Sequence, residues 1–444
     1  MSLLNAPLQS YFHSFVQHTY ELLSPIISHS KIPIFIKDID HPWINENLQW
    51  LENRDDPFKE LCDPSSEIYR GIDGRVCPDD LFNRLVIDNN KWGMDRMPWR
   101  NARDRLREMR DCPMALDSVK HLYVDIYVSS GEYGFRYDSP NPGDEIPELF
   151  ADVLTLMHNL ERIDWKLSEQ SANYFESAFS KRNLSLPSVN HLVPSQSSFH
   201  LIPMCPNLQV LEATGSRSNQ ESFIESTSKV PSIRSLKFDA GREWSEPLLS
   251  DLLRAMPNLV SLSLKGRIGT GTTYSDLTGM YSDERFHYVE VDKEKLQMVK
   301  NSLGLEPDDI IIIKRPNDPY LKTFLRELVG YPNIRHLELP YSAHLSLGFD
   351  GGLWCGNAYF GPDGRAYHRT VLQEGAETDE KAARIALSVL PHLESISIGG
   401  TTPNMTKEDG NKVVFEWPWT GRMEEWLLEQ VPDVSKDDPW YDPQ

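Results

Sequence analysis

The chain of 444 residues is poor in cysteine, poor in basic charge and poor in long apolar runs, and each shortage removes a class of protein. Its five cysteines, Cys62, Cys77, Cys112, Cys205 and Cys355, are odd in number, widely spaced and never arranged as C-x-x-C. That pattern argues against a disulfide framework and against a zinc knuckle, and it favours a reducing compartment. Lysine and arginine total 45 against 66 acidic residues, a formal charge of −21. Non-specific nucleic-acid binding needs a basic surface, so no nucleic-acid partner is expected. The one strongly basic stretch, "RMPWRNARDRLREMR" (96–110), interleaves Asp104 and Glu108 with its arginines and reads as a solvated helix face. "LLSPIISHSKIPIFI" is broken by Ser, His, Lys and Pro, so it reads neither as a secretory signal nor as a membrane span. The expectation is a soluble chain of the cytoplasm or nucleus with no membrane partner. Asn183-Leu-Ser185 and Asn404-Met-Thr406 match the glycosylation pattern, which has meaning only in a secreted chain.

What the chain does have is an internal repeat. Seven segments share one shape: "MHNLERIDW" (157–165), "LPSVNHLVP" (186–194), "CPNLQVLEA" (205–213), "VPSIRSLKF" (230–238), "MPNLVSLSL" (256–264), "YPNIRHLEL" (331–339) and "LPHLESISI" (390–398). An eighth, "LDSVKHLYV" (116–124), lacks the proline. Their first aliphatic positions are Val119, Leu160, Val189, Leu208, Ile233, Leu259, Ile334 and Leu393, with middle spacings of 19, 25 and 26 residues. The last four residues of each alternate apolar and polar, the signature of a short strand with one buried face. Helical segments precede most copies. "SEPLLSDLLRAM" has Ser245 as N-cap, "DPYLKTFLRELVG" opens on Asp318 and Pro319, and "TDEKAARIALSVL" opens on Thr378. Helix, proline turn and short strand, repeated, predict an α/β fold. It is an irregular leucine-rich-repeat solenoid, a curved parallel sheet with outer helices, behind a mostly helical N-terminal region.

The domain reading follows. Residues 1–112 form the helical N-terminal region, a solenoid cap in which "IPIFIKDI" is a strand and "PDDLFNRLVI" a helix. Residues 113–430 form the solenoid, with insertions at about 266–307 and 341–377, and "WPWTGRMEEWLLEQV" supplies a C-terminal capping helix. Residues 431–444 are a polar tail.

The chemistry-bearing residues point away from catalysis. "GRIGTGTTYSDLTG" lacks the lysine a phosphate-binding loop requires. "LWCGNAYFGPDGRAYHR" (353–369) places Cys355 thirteen residues from His368, which permits a nucleophile and base but does not predict one. Its turn-forming runs read instead as an ordered loop whose Trp354, Tyr359, Phe360, Arg365 and Tyr367 could meet a partner. His121, His191 and His336 share one repeat position in non-adjacent repeats, so no metal site is expected, and no cofactor either. Solenoids usually bind on the concave strand face. There the candidate partner-binding residues are Tyr123, Asp164, Glu212, Lys237, Asp239, Lys265, His336 and Glu338, beside Asp125, Lys166 and Ser263. Their mixed charge suggests a protein partner.

The "PNLxxLxL"-type repeats, the glycine-rich "CGNAYFGPDGRAYHR" before a helix and "LPHLESISIGG", and the closing "EWPWTGRMEEWLLEQ" resemble fungal leucine-rich-repeat proteins of the F-box-like type over about 113–430. That resemblance implies a non-enzymatic scaffold that selects the substrate of a cullin-RING ubiquitin ligase, with the ligase adaptor docked on an N-terminal F-box. Residues 1–30 lack the Leu-Pro opening of such a module, so the F-box is degenerate, truncated or absent. The alternatives are a leucine-rich-repeat interaction protein unconnected with ubiquitin and, third, a cysteine-dependent enzyme.

Overall fold

A computed structural model describes residues 41–55, 57–63, 65–66, 74–88, 98–126, 141–215, 219–268, 286–289, 310–313, 320–349, 351, 361–407 and 413–433. The expected strand at "IPIFIKDI", the caps Asp318 and Pro319, and Trp354, Cys355, Tyr359 and Phe360 lie outside the described residues. The chain divides into two compact units, Met1–Leu208 and Gln209–Gln444.

The described part of the N-terminal unit begins with helices α1 (Pro42–Glu52) and α2 (Pro57–Leu61). Strand β1 (Arg84–Asp88), helices α3 (Pro98–Arg110) and α4 (Pro113–Ser118), and strand β2 (His121–Ile126) follow. Helix α5 (Glu145–Leu156), strand β3 (Arg162–Leu167), helix α6 (Glu169–Lys181), strand β4 (His191–Pro194) and a 3-10 helix (Phe199–Met204) come next. The four strands pair in chain order and all run parallel. In the C-terminal unit, β5 (Val210–Thr214), β6 (Ser235–Trp244), β7 (Ser261–Ile268), β10 (His336–Leu339) and β11 (Ser395–Ile398) form an open five-stranded parallel array in that order. Helices α7 (Gln220–Ser228), α8 (Glu246–Ala255), α9 (Tyr320–Arg326) and α10 (Gly361–Val389) connect them. Strands β8 (Phe286–Val289) and β9 (Ile310–Ile313) make a separate parallel pair, and "DDIIIIK" supplies the second of them. The architecture is therefore α/β, with open parallel sheets.

All eight repeat segments end in one of these strands, and their first aliphatic residues, Val119 through Leu393, are at most 2% exposed. One carbonyl marks each entry to a strand. Asn83 O accepts the successive N–H groups of Lys120 and His121; Lys120 O accepts those of Glu161 and Arg162; Glu161 O accepts those of Asn190 and His191. In the C-terminal unit Gln209 O, Arg234 O, Val260 O and Arg335 O each receive two successive N–H groups from the next repeat in the same way. The turn asparagines add a rung: Asn159 Nδ2 donates to Asp117 O (2.8 Å), Asn207 Nδ2 to Pro187 O (2.9 Å) and Asn258 Nδ2 to Pro231 O (3.0 Å). A proline removes a donor and halts the preceding helix, and the asparagine after it satisfies the turn before.

Helices cover one sheet face. Trp165 of β3 meets Phe150 of α5 at 5.1 Å and Phe175 of α6 at 5.6 Å, both edge-on, while Phe238 of β6 meets Phe223 of α7 at 4.7 Å. Such aromatic pairs add to burial and fix the helix–sheet register. Ser245 caps α8 as expected, its hydroxyl accepting from Leu248 N at 3.3 Å.

Four expectations are corrected. "PDDLFNRLVI" is a turn and then strand β1, because Leu85 and Ile87 alternate into the core and pair with β2. The sheet therefore starts inside the region read as helical. Among the described strands β1 is the outermost of this unit: Asn83 O faces β2, so Val86 O points to the other side, where the buried Arg105 guanidinium donates to it. Burial lowers the pKa of that arginine to about 10, with Glu108 opposing. An edge strand guarded by a charge is a poor template for aggregation. Second, Cys62 and Cys112 form a disulfide, Cα–Cα 5.5 Å, which a separation of 50 residues concealed. Third, Thr378 does not cap a helix; α10 runs from Gly361 through it, and its hydroxyl bonds Glu374 O one turn back. Fourth, "GPDGRAYHR" is the first turns of α10 and not part of a loop.

At the C-terminal end of the chain, β12 (Asn404–Lys407) and β13 (Val413–Glu416) form an antiparallel hairpin before helix α11 (Met423–Gln430). Trp417 and Trp419 are buried and stacked at 5.0 Å, and Trp426 reaches Trp419 at 4.9 Å. Arg365 of α10 donates to Pro432 O (3.0 Å) and Arg369 to Val431 O (2.9 Å), satisfying carbonyls just past α11. No described helix is long and apolar enough to cross a membrane.

Candidate functional site

Leu122, Val124 and Ile126 turn into the core, so His121, Tyr123 and Asp125 stand on the sheet face away from the helices. The same alternation runs through each repeat, and the parallel register stacks these side chains in rows. In the N-terminal unit one row is Arg84, His121, Arg162 and His191; the next is Val86, Tyr123, Asp164 and Val193; the third begins Asp88, Asp125 and Lys166.

Asp164 is the centre of an ionic knot. It is 8% exposed on its side chain, receives Arg162 Nη2 at 2.9 Å and Arg162 Nε at 3.1 Å, and contacts His121 Nε2. Burial opposes its charge, but the hydrogen bonds from His121 and Arg162 and the arginine's positive charge outweigh it, holding the carboxyl down at about 2. An ionised carboxylate only accepts, so His121 Nε2 is the donor in this contact. Beside the knot, Tyr123 OH donates to Asp125 Oδ2 at 2.8 Å, and Lys166 Nζ stands 3.7 Å from Asp125. The Arg84 guanidinium and Lys166 Nζ lie 5.6 and 5.3 Å from the Tyr123 ring centroid. Burial and the hydrogen bond to Asp125 raise the phenol above its usual pKa. The result is an aromatic plate flanked by cations.

In the C-terminal unit the rows read Val210, Ser235, Ser261, His336 and Ser395; then Glu212, Lys237, Ser263, Glu338 and Ser397; then Thr214, Asp239 and Lys265. Lys237 Nζ donates to Glu212 Oε2 at 2.9 Å. Glu338 accepts from Ser263 Oγ at 2.6 Å and from Lys265 Nζ. Burial opposes the Glu338 charge, but Lys265 and Ser263 overcome it and lower the pKa. His336 Nδ1 bonds Ser395 Oγ at 2.8 Å, and Asp239 Oδ1 accepts from Gly241 N at 2.8 Å. That last contact closes a bulge in β6 where Gly241, at φ +75°, would place a Cβ 2.7 Å from Gly215 O, so only glycine fits.

Of the residues expected on this face, Tyr123 and Asp164 are register neighbours, as are Glu212 with Lys237 and Asp239 with Lys265. Glu338 joins Lys265, and His336 turns to Ser395. Arg365 and Tyr367 sit on α10, where Arg365 ties down the chain after α11. Sequence reasoning missed Arg162 and Arg84. Arg162 occupies the repeat position of His121, where only the histidines stand out from the sequence; Arg84 belongs to the strand read as a helix.

His121 and Asp164 form the partial geometry of a base and its orienter, but their register neighbours are Arg84, Arg162, Tyr123 and Val193, with no thiol or aliphatic hydroxyl among them. Among the described residues no group of three His, Cys, Asp or Glu is placed to hold a metal. Burial pushes the Cys205 thiol up to about 12, so it is no nucleophile. The basic face of α3 is largely neutralised: Arg107 pairs with Glu145, Arg103 with Asp104 and Arg110 with Asp111. No protein-family model matches the chain, and no curated protein matches it.

Proposed function

We propose that the chain is a leucine-rich-repeat scaffold, not an enzyme, and that it binds a protein partner across the open sheet face. The observation that carries the reading is the repeated entry turn, one carbonyl receiving two successive N–H groups at each strand, joined to rows of polar side chains on the face away from the described helices. Stacked repeats with an exposed polar strand face commonly serve recognition. The narrower form of the proposal is the substrate-recognition subunit of a cullin-RING ubiquitin ligase, and it rests on the F-box-like resemblance alone.

The test compares proteins captured by the full chain with those captured by a variant carrying Tyr123→Ala and Lys166→Ala, alongside direct binding to the ligase adaptor subunit. Partners lost with the face variant support recognition there, and identical capture by both overturns it. Adaptor binding by the full chain supports the ligase form. Its absence leaves a scaffold unconnected with ubiquitin.

A further inference from the structure

The Cys62–Cys112 bond joins two parts of the N-terminal unit that the sheet does not join. Cys62 directly follows α2, and Cys112 stands between α3 and α4, where its backbone carbonyl accepts from Ala115 N. The entry ladder of the sheet begins at Asn83, so α1 and α2 contribute no strand to it. They bury Ile44, Leu51 and Leu61. Non-covalent ties also reach across, including His41 to Asp80 at 3.3 Å and Arg75 over the Trp50 ring at 5.1 Å.

The two sulfurs are unequal. Cys112 is 1% exposed, whereas Cys62 is only half-buried. Among the described residues the remaining cysteines, Cys77 and Cys205, are both buried and offer no competing entry. An incoming thiolate therefore meets Cys62 before Cys112.

We propose that Cys62–Cys112 is a redox clasp: thiol–disulfide exchange with glutathione opens it, frees the segment 41–66 and leaves the parallel sheet standing. A glutathione thiolate attacks Cys62 Sγ, the S–S bond breaks, and its electron pair leaves on Cys112 Sγ, which takes up a proton. A second glutathione thiolate attacks the glutathione sulfur of the mixed disulfide, releasing oxidised glutathione and the Cys62 thiolate. Oxidised glutathione is the oxidant of the reverse reaction.

The full chain, equilibrated across buffers from oxidised to reduced glutathione, acid-quenched and thiol-tagged with a maleimide, tests this by peptide mass spectrometry. The expected result has three parts. Cys62 and Cys112 become taggable together, trapped glutathione is found on Cys62 and not on Cys112, and native-state trypsin cleavage after Arg54 and Lys59 accelerates about tenfold or more. The sheet signal in circular dichroism stays constant. Cys62→Ser is expected to be cleaved at the reduced rate in every buffer, and the wild-type titration decides alone if that variant does not accumulate. Two free thiols under oxidised glutathione, a bond that survives reduced glutathione, or cleavage after Arg54 that ignores the redox state would each overturn the proposal.

Discussion

The open faces of the two units solve the same problem in different ways. In the N-terminal unit three repeats concentrate charge into a knot, with Asp164 under Arg162 and His121 and Tyr123 between Arg84 and Lys166. In the C-terminal unit five strands spread it out, pairing Glu212 with Lys237 and Glu338 with Lys265 and filling the rest with Ser235, Ser261, Ser395 and Ser397. A knot excludes water and is costly to break from one side, while a more exposed pair such as Glu212–Lys237 is screened and cheap to lose. A partner could displace the C-terminal pairs. It would have to accept the N-terminal knot as built.

The largest expected effect comes from a group off this face that reverses the comparison. Asp379 of α10 is 8% exposed and its Oδ1 has no hydrogen-bond partner. Burial pushes its pKa from 3.8 up to about 7, the Ser342 hydroxyl opposing the rise. The folded chain therefore holds a proton that the unfolded chain releases between about pH 4 and pH 7, so the C-terminal unit loses stability as pH rises through that window. The upper bound is about 4 kcal/mol, at 1.36 kcal/mol per unit. Asp379→Asn should recover most of the loss at about pH 8 and almost none at about pH 4. Chemical denaturation at both pH values checks it, and equal shifts at both would remove the buried acid from the account.

Asp164 gives the opposite sign in the N-terminal unit. Its pKa is lowered from 3.8 to about 2, so its contribution is complete above about pH 4 and disappears as pH falls through about 2. Asp164→Ala would leave Arg162 and His121 facing each other over a cavity, and a loss of about 3 kcal/mol is expected at neutral pH. Hydrogen exchange should report the loss in β2 and β3, and a loss below about 1 kcal/mol would mean the knot is looser than its geometry.

How much of this was legible depends on which residue carried the signal. The repeats were, because proline and asparagine punctuate them and the first aliphatic residue never leaves the core. Strand β1 obeys the same rule: the register pairs Leu85 with Leu122, which puts Phe82 at the position of Val119. A phenylalanine there and the absence of a proline turn hid the repeat. Helix α10 was misread because Gly361, Pro362, Gly364 and Gly375 are turn formers. Packing overrode propensity: Val371, Ala376, Ala382, Ala383 and Ala386 are buried, and a Cβ at Gly375 would stand 3.4 Å from the Phe349 ring. The disulfide left no trace in sequence, since nothing local relates Cys62 to Cys112. The face residues were legible as a set because strand period is two, but their pairing was not, since it depends on which repeats neighbour one another and on side-chain reach.

The smallest expected effect sharpens the comparison most. Glu212→Ala removes the partner of Lys237, whose side chain is 49% exposed and free to turn to water. A change within about 0.5 kcal/mol is expected, and added salt should shrink it further. Partner binding should respond more than stability does, because a displaceable charge is what a partner on this face would engage. A double-mutant cycle of Glu212→Ala with Lys237→Ala measures the pair. A coupling above about 1 kcal/mol would show that the C-terminal pairs hold the fold as firmly as the knot does, and would move the expected contact surface away from them.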